Sequence, residues 1–316
     1  MADLAKDVIG LRSNNPEDTY TILRRPKTWP DNLHLVFHRY PFLLRSGVRR
    51  NGALSSGRYD TRKLDKLFGK SSSNDPGLLA DLPFAQLQAR QYAALQAATE
   101  TQLSFEVKGV GRLLLGTGNP SINENGLTLH HVYGFPYLPA SALKGLVRNY
   151  IVQSYFASEE EQAERDHLFC ALFGCQAHPD DQEQRRGQVI FTDGYPVTMP
   201  RLEVDVLTPH FPKYYNSNGG EAPRDDDNPN PVTFLAVAAG TRFTVALGTD
   251  YLQGQTAATV WKLLSNSKIC KPEKAKIETP LQLVRHYLVE ALDLLGIGAK
   301  TAVDYGSLTI NPKPKT

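Results

Sequence analysis

Three polar side chains at the start of a predicted helix could hold a phosphate group. The stretch 134–148 contains two prolines, of which Pro139 is the second. Proline fixes φ and favours extended backbone before it, so a helix can begin only after Pro139. Ser141 is the predicted N-cap, while Lys144 and Arg148 lie four residues apart on one helix face. Because helix N termini have unpaired N–H groups and partial positive charge, this combination predicts a phosphate-binding site.

Another face of the same predicted helix is apolar. Its apolar residues recur at spacings of three and four, namely Leu143, Leu146, Val147, Tyr150 and Ile151. That face is expected to pack against a core and to leave the cationic face outside. A capped helix with solvated charges is the simpler alternative to a phosphate site.

A glycine-rich segment later in the sequence could let a polynucleotide approach the backbone closely. Gly296 and Gly298 precede Lys300 and Thr301, so a cation is available beside an accessible backbone. The spacing does not match a nucleotide-binding P-loop, which needs Gly-Lys-Ser/Thr between a strand and a following helix. A helix C-cap at one of the glycines is the alternative, and both uses are compatible.

Aromatic side chains in the second half of the chain could stack on nucleobases. His210, Tyr214 and Tyr215 lie before or at the edge of a polar loop at 216–231, which is predicted to be mobile. Aromatic residues more often fill a core. Exposure of at least one tyrosine would favour the stacking interpretation.

The segment 45–77 is predicted to be a basic, flexible insertion. Between positions 45 and 70 it holds eight Lys or Arg residues, including Arg49 and Arg50, against two aspartates. Such a segment suits an arm that becomes ordered on RNA or on a neighbouring subunit. A solvated loop is the alternative.

A cysteine–histidine cluster has a spacing that permits a metal hypothesis. His167, Cys170, Cys175 and His178 follow the pattern H-x2-C-x4-C-x2-H, and the first two would share a helix face. The pattern is not a standard zinc motif. Buried free cysteines with a surface histidine are the favoured interpretation, and no cofactor is expected.

The composition excludes several classes of protein. The chain has 316 residues, 41% of them hydrophobic, and a net charge of +2 from 35 basic and 33 acidic residues. It can build a core, and any nucleic-acid surface must be local. No apolar signal segment follows Met1, no run of eighteen apolar residues is present, and there are three cysteines. These features predict a reduced, soluble, cytoplasmic protein without membrane contact.

Helices and short strands must position these groups. Besides the helix after Pro139, helices are predicted at 83–99, 159–173, 256–264 and 281–295, and strands at 32–40, 102–107, 112–115, 127–132, 187–193, 202–207, 232–237, 242–247 and 306–310. The strands 232–237 and 242–247 flank Ala239-Gly240 and predict a β-hairpin. This order favours an α+β fold with an antiparallel sheet, and a βαββαβ plan accommodates it. One domain over residues 1–316 is expected.

Three stretches in this order resemble the RAMP superfamily, the repeat-associated proteins of CRISPR effector complexes. They are 134–148, then Leu172-Phe173-Gly174 with 187–193, then 296–301 with Tyr305-Gly306. Within the superfamily, 32–40 and 205–210 with the two tyrosines look like the sixth-subunit family of the Cmr, type III-B, complexes. One departure is Ala140-Ser141-Ala142, where many relatives have Gly-Ser-Ser, so one hydroxyl is absent.

The resemblance implies a Cas7-like RAMP fold, in which a ferredoxin-like (RRM-like) antiparallel sheet with helices is elaborated by insertions. It also implies a non-catalytic subunit that holds the guide RNA near its 3′ end, contributes to target-RNA binding and adjoins other Cmr subunits. The residues expected to bind RNA are Ser141, Lys144, Arg148, Gly296, Gly298, Lys300, Thr301, Arg49, Arg50, His210, Tyr214 and Tyr215.

The alternative function is a metal-independent endoribonuclease that processes CRISPR transcripts. Such enzymes of the superfamily share the fold and the glycine loop, and they use a histidine as general acid or base. The chain has eight histidines, including His34, His38, His130 and His131. The internal Pro-Ala-Ser-Ala-Leu-Lys-Gly sequence disfavours this alternative, because it resembles the backbone subunits of these complexes.

Overall fold

A computed structural model gives the fold of residues 82–119, 125–176, 185–208, 232–249, 267–270 and 279–310, together with isolated positions that include His34 and Tyr214. The chain divides into two compact units. The first contains 1–82, 115–136 and 199–237, and the second contains 83–114, 137–198 and 238–316. The helix after Pro139 and the glycine-rich segment both belong to the second unit.

The second unit holds most of the described helices and strands. Its helices are α1 (Phe84–Ala98), α2 (Ala140–Tyr155), α3 (Glu160–Arg165), α4 (His167–Phe173) and α5 (Pro280–Leu294), with 3-10 turns at Lys268–Cys270 and Thr301–Val303. Its strands are β1 (Thr101–Gly109), β2 (Gly174–Cys175), β3 (Arg185–Arg186), β4 (Val189–Phe191), β5 (Tyr195–Pro196), β8 (Arg242–Thr249) and β9 (Leu308–Ile310). The first unit contributes β6 (Leu202–Leu207) and β7 (Val232–Val237).

The central sheet has the ferredoxin-like strand order. Its strands pair antiparallel in the order β4-β8-β1-β9, and β5 also pairs with β8. Along the chain, the four main strands and two of the three long helices, α2 and α5, follow one another as β1-α2-β4-β8-α5-β9, which is the βαββαβ plan. The predicted α+β fold with a ferredoxin-like antiparallel sheet is therefore confirmed. Helix α1 precedes this core, and the other described helices and strands are insertions into it.

Helices cover both faces of this sheet. Phe105 of β1 and its partner Val245 of β8 are buried on one face. Helix α5 packs on that face, where the Arg285 guanidinium lies 5.3 Å from the centre of the Phe105 ring. Because side chains alternate along a strand, a Cβ at Gly248 would point to the other face. Leu95 of α1 packs against Gly248 on that face. At this end of β8 the face opposite α5 is therefore covered by α1.

Helices α2 and α5 have the buried faces that the sequence predicts. Helix α5 begins after Thr279, whose hydroxyl accepts from the Gln282 N–H at 3.2 Å while the Gln282 side chain accepts from the Thr279 N–H at 3.2 Å. This reciprocal pair is a capping box. The buried stripe of α5 includes Leu281, Val284, Leu288, Ala291 and Leu292, and that of α2 includes Leu143, Val147 and Ile151.

The strands predicted at 202–207, 232–237 and 242–247 are confirmed, but the hairpin predicted between the last two is wrong. Strand β7 pairs with β6 in a separate two-stranded sheet, with Leu202 opposite Val237. Strand β8 pairs with β1 from Thr101 opposite Thr249 to Lys108 opposite Arg242. An apolar alternation identifies a strand but does not specify its partner, because the same face can pack in either sheet.

Other predictions of helices and strands need correction. The helix predicted at 159–173 is two helices, since Asp166 is extended (φ −76°, ψ 119°) and its carboxylate accepts from the Leu168 and Phe169 N–H groups at 3.0 Å. Such an N-cap ends one helix and begins the next. The strands predicted at 112–115 and 127–132 are not formed, and Leu129 makes only an isolated bridge with Pro136.

Several predictions fall where the structure gives no description. Outside the described residues lie the helix at 256–264, the insertion at 45–77, most of the loop at 216–231 and the strand at 32–40 except for His34. His34 is helical, so the strand prediction is wrong at that residue. The single domain over 1–316 stays a prediction. In the described part of the chain, no helix is both long enough and apolar enough to cross a membrane.

Candidate nucleic-acid interface

Helix α2 begins earlier than predicted, and its cap comes from a distant part of the sequence. Pro139 has extended backbone (φ −62°, ψ 136°), and Ala140 is already helical. Ser141 therefore lies within the first turn with an exposed side chain, so the predicted N-cap at Ser141 is wrong. The Ala140 N–H donates to Asp193 Oδ1 at 2.7 Å. A carboxylate of the protein thus already occupies part of the positive helix terminus.

The segment that carries Asp193 is fixed against the start of α2. The Leu138 N–H donates to the Gly194 carbonyl oxygen at 3.0 Å, and the Gly194 N–H donates to the Leu138 carbonyl oxygen at 2.7 Å. A Cβ at Gly194 would lie 3.0 Å from the Leu138 side chain, so glycine permits this close approach. Two of the stretches singled out from the sequence, 134–148 and 187–193, therefore meet in space.

We expect Asp193→Ala to lower the free energy of unfolding by about 1 kcal/mol, the usual cost of losing a helix cap. Ser141→Ala is the matched control in the same helix turn, and it should change this free energy by less than about 0.5 kcal/mol. Urea denaturation of both variants measures the difference. Equal losses would contradict the assignment of Asp193 as the cap.

Lys144 lies among positive charges. Its side chain is half-buried, and burial, followed by Arg148 and Arg186, lowers the pKa of Lys144. Both charges that shift it are positive, so they disfavour the ammonium form. An anion placed beside these groups would relieve the repulsion and form charge-assisted hydrogen bonds. Lys144 is therefore well suited to bind a phosphate.

Arg148 is held by acidic and aromatic neighbours. Its guanidinium forms ion pairs with Glu160 and with Glu164, the second at 2.6 Å, and lies 5.2 Å from the centre of the Phe169 ring. The side chains are 25% exposed for Arg148 and 11% exposed for Glu164. Arg148 shares the side of α2 that carries Lys144, but these contacts tie α2 to α3 and α4.

Arg186 belongs to this cluster and was missed by the sequence analysis. It lies in β3 opposite Gly174 of β2, and its side chain is exposed. The following residue, Gly187, packs so closely that a Cβ there would lie 2.4 Å from the Phe173 carbonyl carbon. The available signal was Arg185-Arg186 before the strand at 187–193, but nothing local indicated that this segment lies close to Lys144.

The glycine-rich segment forms a closed loop after α5. Gly296 has positive φ (69°) and donates its N–H to the Ala291 carbonyl oxygen at 3.2 Å, so the predicted helix C-cap is confirmed there. The Ile297 N–H donates to the Gly306 carbonyl oxygen at 2.8 Å, which joins the two ends of the loop. A 3-10 turn, rather than an α-helix, follows Lys300. This differs from a P-loop, in which an α-helix follows the lysine.

Lys300 is held in an uncommon backbone conformation. Its φ is 60°, in the left-handed region that side chains disfavour, and its Nζ lies 5.7 Å from the centre of the Tyr305 ring. Gly298 and Thr301 on either side are exposed. Backbone strain of this kind often occurs at ligand sites, so the loop is a second candidate surface for RNA.

The structure describes only one of the remaining predicted RNA-binding residues. Tyr214 belongs to the first unit and is 37% exposed, which meets the condition for stacking. Arg49, Arg50, His210 and Tyr215 lie outside the described residues. The structure therefore brings Lys144, Arg148 and Arg186 together, with Ser141 one turn away, and describes the loop at 296–301 as a separate group.

Cys170 and Cys175 form a disulfide, with their sulfurs 2.01 Å apart. The prediction of reduced, free cysteines is therefore wrong for this pair, although both are buried as expected. The physical reason is that Gly174 ends α4 with positive φ (89°) and turns the chain so that Cys175 returns beside Cys170. The zinc hypothesis needs two thiolates, which this disulfide removes, and His178 lies outside the described residues.

Two curated relatives are similar over part of the chain. The CRISPR system Cmr subunit Cmr6 of Pyrococcus furiosus is 27% identical over 254 residues, which are 65% of this chain and 67% of the relative. The CRISPR system CMR subunit Cmr6 of Saccharolobus solfataricus is 31% identical over 155 residues, which are 47% of this chain and 46% of the relative. The second match thus spans less than half of that relative's length.

Two solved structures are also similar to the chain. A chain of the type III-B Cmr-beta complex bound to cognate target RNA, determined by cryo-EM, has a TM-score of 0.49 and 20% identity over 75% of this chain and 69% of that one. The crystal structure of Cmr6 from Pyrococcus furiosus has a TM-score of 0.34 and 22% identity over 67% of this chain and 98% of that one.

A protein-family match covers the sheet and the candidate interface together. Residues 106–309 match the RAMP superfamily, and this range begins in β1 and ends in β9. It includes helix α2 with Lys144, the capping Asp193 and the glycine loop after α5. Because the match spans more than half of the sequence and contains the βαββαβ core, the chain belongs to the RAMP superfamily.

Proposed function

We propose that this protein is a non-catalytic RNA-binding scaffold subunit of a type III-B (Cmr) CRISPR ribonucleoprotein. In that role it holds the guide RNA near its 3′ end, contributes to target-RNA binding in antiviral defence and contacts neighbouring Cmr subunits. Membership of the RAMP superfamily and the two relatives named Cmr6 support the proposal.

The observation that carries the proposal is the environment of Lys144. This half-buried lysine lies near Arg148 and Arg186, on a helix whose first turn exposes the Ser141 hydroxyl. An ammonium binds a phosphate without regard to base identity. That suits a protein whose guide RNA reads the target by base pairing.

The other predicted residues have secondary roles in this proposal. Lys300 and Thr301, with the backbone at Gly296 and Gly298, offer a second contact for the RNA backbone. Arg148 contributes positive potential but is held by Glu160 and Glu164. The arm with Arg49 and Arg50 adds charge, and His210, Tyr214 and Tyr215 are proposed to stack on bases.

We expect Lys144→Gln to weaken binding of a single-stranded RNA oligonucleotide by about tenfold, because one charge-assisted phosphate contact is lost. The slope of the logarithm of affinity against the logarithm of salt concentration should fall in magnitude by about 0.7, the contribution of one phosphate on a single strand. Fluorescence anisotropy titrations at several KCl concentrations measure both quantities.

Arg165→Gln is the matched control, since Arg165 is an exposed cation of α3 paired with Glu161 at 2.8 Å. It should leave the RNA affinity and the salt slope unchanged. An unchanged affinity and slope for Lys144→Gln would reject the phosphate contact. Cleavage of repeat RNA by the purified protein in EDTA would contradict the non-catalytic role and favour the endoribonuclease alternative.

A further inference from the structure

Gly145 is an exposed glycine in the interior of helix α2. Glycine destabilises a helix interior relative to alanine, because it loses more backbone freedom on folding. Apart from its two chain neighbours and the nearby backbone of α2 itself, no described residue has an atom within 4 Å of the place where a Cβ of Gly145 would lie. The described part of the chain therefore gives no packing reason for glycine at this position.

Other glycines of the same unit have such a reason. A Cβ at Gly111 would lie 2.0 Å from the Asp304 carbonyl oxygen, and one at Gly187 would lie 2.4 Å from the Phe173 carbonyl carbon. Each of these glycines permits a close contact within the protein. By the same logic, Gly145 would permit a close contact with a molecule that binds the protein.

The surroundings of Gly145 indicate the chemistry of that molecule. Ser141 lies one turn before Gly145 on the same exposed stripe, and Lys144 is the preceding residue. Arg186, on β3, acts on Lys144 as a second positive charge. A hydroxyl, an ammonium and a guanidinium around an open stretch of helix backbone suit a phosphodiester chain. A packed protein helix would instead have to bury these charges, which is costly.

We infer that the RNA backbone crosses helix α2 at Gly145, close enough that a methyl group there would obstruct it, and that Arg186 binds the RNA phosphates together with Lys144. This inference rests on the proposed RNA-binding function and assigns it a crossing point and an additional ligand. Arg186 suits the role because pairing of β3 with β2 and the close packing of Gly187 fix its backbone. The disulfide at Cys175 anchors the β2 partner of this pair.

Gly145→Ala is expected to change stability and RNA affinity in opposite directions. The added methyl group should raise the melting temperature, because alanine favours the helix and meets no described neighbour. The same methyl group should weaken binding of a single-stranded RNA oligonucleotide by about tenfold, because it intrudes on a close contact.

Gly118→Ala is the matched control, since Gly118 is exposed and has open space around it among the described residues. Its RNA affinity should equal that of the unmodified chain.

Arg186→Gln is the companion experiment in the full chain. It should reduce the magnitude of the salt slope by about 0.7 and weaken RNA binding about tenfold, with the melting temperature unchanged within a few degrees. Arg165→Gln, with no expected change, controls for the loss of a surface charge.

Two outcomes would overturn the inference. One is an unchanged RNA affinity for Gly145→Ala, and the other is an unchanged salt slope for Arg186→Gln. If the first outcome is accompanied by weaker copurification with neighbouring subunits, the open backbone at Gly145 belongs to a protein interface instead. If Lys144→Gln still weakens RNA binding in any of these cases, the proposed function stands without the crossing point. Failure of the unmodified chain to bind RNA would reject both.

Discussion

Gly306→Ala is expected to lower the free energy of unfolding by about 3 kcal/mol. This is a large effect for replacing one hydrogen atom with a methyl group. Gly306 has a φ of 76°, in the left-handed region that costs an L-residue about 1–2 kcal/mol. Its Cβ would also lie 2.1 Å from the Ile297 carbonyl oxygen. The backbone must therefore move where it is fixed by two hydrogen bonds, from Gly306 N–H to the Arg112 carbonyl oxygen at 2.7 Å and from Ile297 N–H to the Gly306 carbonyl oxygen at 2.8 Å.

Urea denaturation of Gly306→Ala and of Gly118→Ala separates this effect from a general cost of adding methyl groups. Gly118 has open space around it among the described residues, so its variant should change the free energy of unfolding by less than about 0.5 kcal/mol. A loss below about 1 kcal/mol for Gly306→Ala would mean that the loop relaxes around the methyl group at little cost. The description of the loop as rigid would then be wrong.

The rigidity of this loop matters for the proposed function because it positions Lys300 and Thr301. The Ala299 N–H donates to the Leu114 carbonyl oxygen at 2.8 Å, next to the Gly306 contact with Arg112. Both ends of the loop are thus attached to the segment that follows β1. If the loop binds RNA as proposed, this attachment holds its cation in place beforehand and reduces the entropic cost of ordering the loop on binding.

Much of the fold could be predicted because its signals are local. The apolar stripe of α5 and the alternation of β1 follow from spacing alone. The partner of β8 could not be predicted in the same way, because pairing depends on which distant strand presents a complementary face. The turn at Ala239-Gly240 has the composition of a hairpin, yet it joins strands of two different sheets.

The candidate site likewise combines features that local sequence predicts with features that depend on distant residues. The position of Lys144 on a helix after Pro139 is local information, and the structure confirms that placement. The cap at Asp193 and the neighbouring Arg186 come from residues more than forty positions away in the sequence. Their contributions required the tertiary fold, although Asp193 ends a stretch that the family resemblance had already singled out.

The expected role of Arg148 also depended on residues that spacing could not place. The sequence puts it four positions after Lys144 and suggests two equivalent cations. In the fold, two glutamates of α3 reach Arg148, whereas the charges that act on Lys144 are positive. Neighbouring basic residues on one helix thus have different uses, and substitutions should separate them.

Arg148→Ala is expected to destabilise the protein by about 2–3 kcal/mol, through the fold rather than through RNA. Removing one partner of a fully buried ion pair costs about 3–5 kcal/mol, because the other charge is left without compensation. Glu164 is 11% exposed and Arg148 is 25% exposed, so the cost should be somewhat below that range. Loss of the contact with the Phe169 ring, 5.2 Å away, adds to it.

Arg165→Ala is the matched control, because Arg165 and Glu161 form an exposed pair at 2.8 Å that should contribute less than about 0.5 kcal/mol. Urea denaturation should therefore show a clearly larger loss of unfolding free energy for Arg148→Ala than for Arg165→Ala. Adding Glu164→Gln to Arg148→Ala should restore part of the lost stability, because it removes the uncompensated charge. The salt slope of RNA binding, measured at a temperature where Arg148→Ala remains folded, should stay close to that of the unmodified chain. A normal free energy of unfolding combined with a slope reduced in magnitude by about 0.7 would reverse the assignment, and would make Arg148 a phosphate ligand equivalent to Lys144.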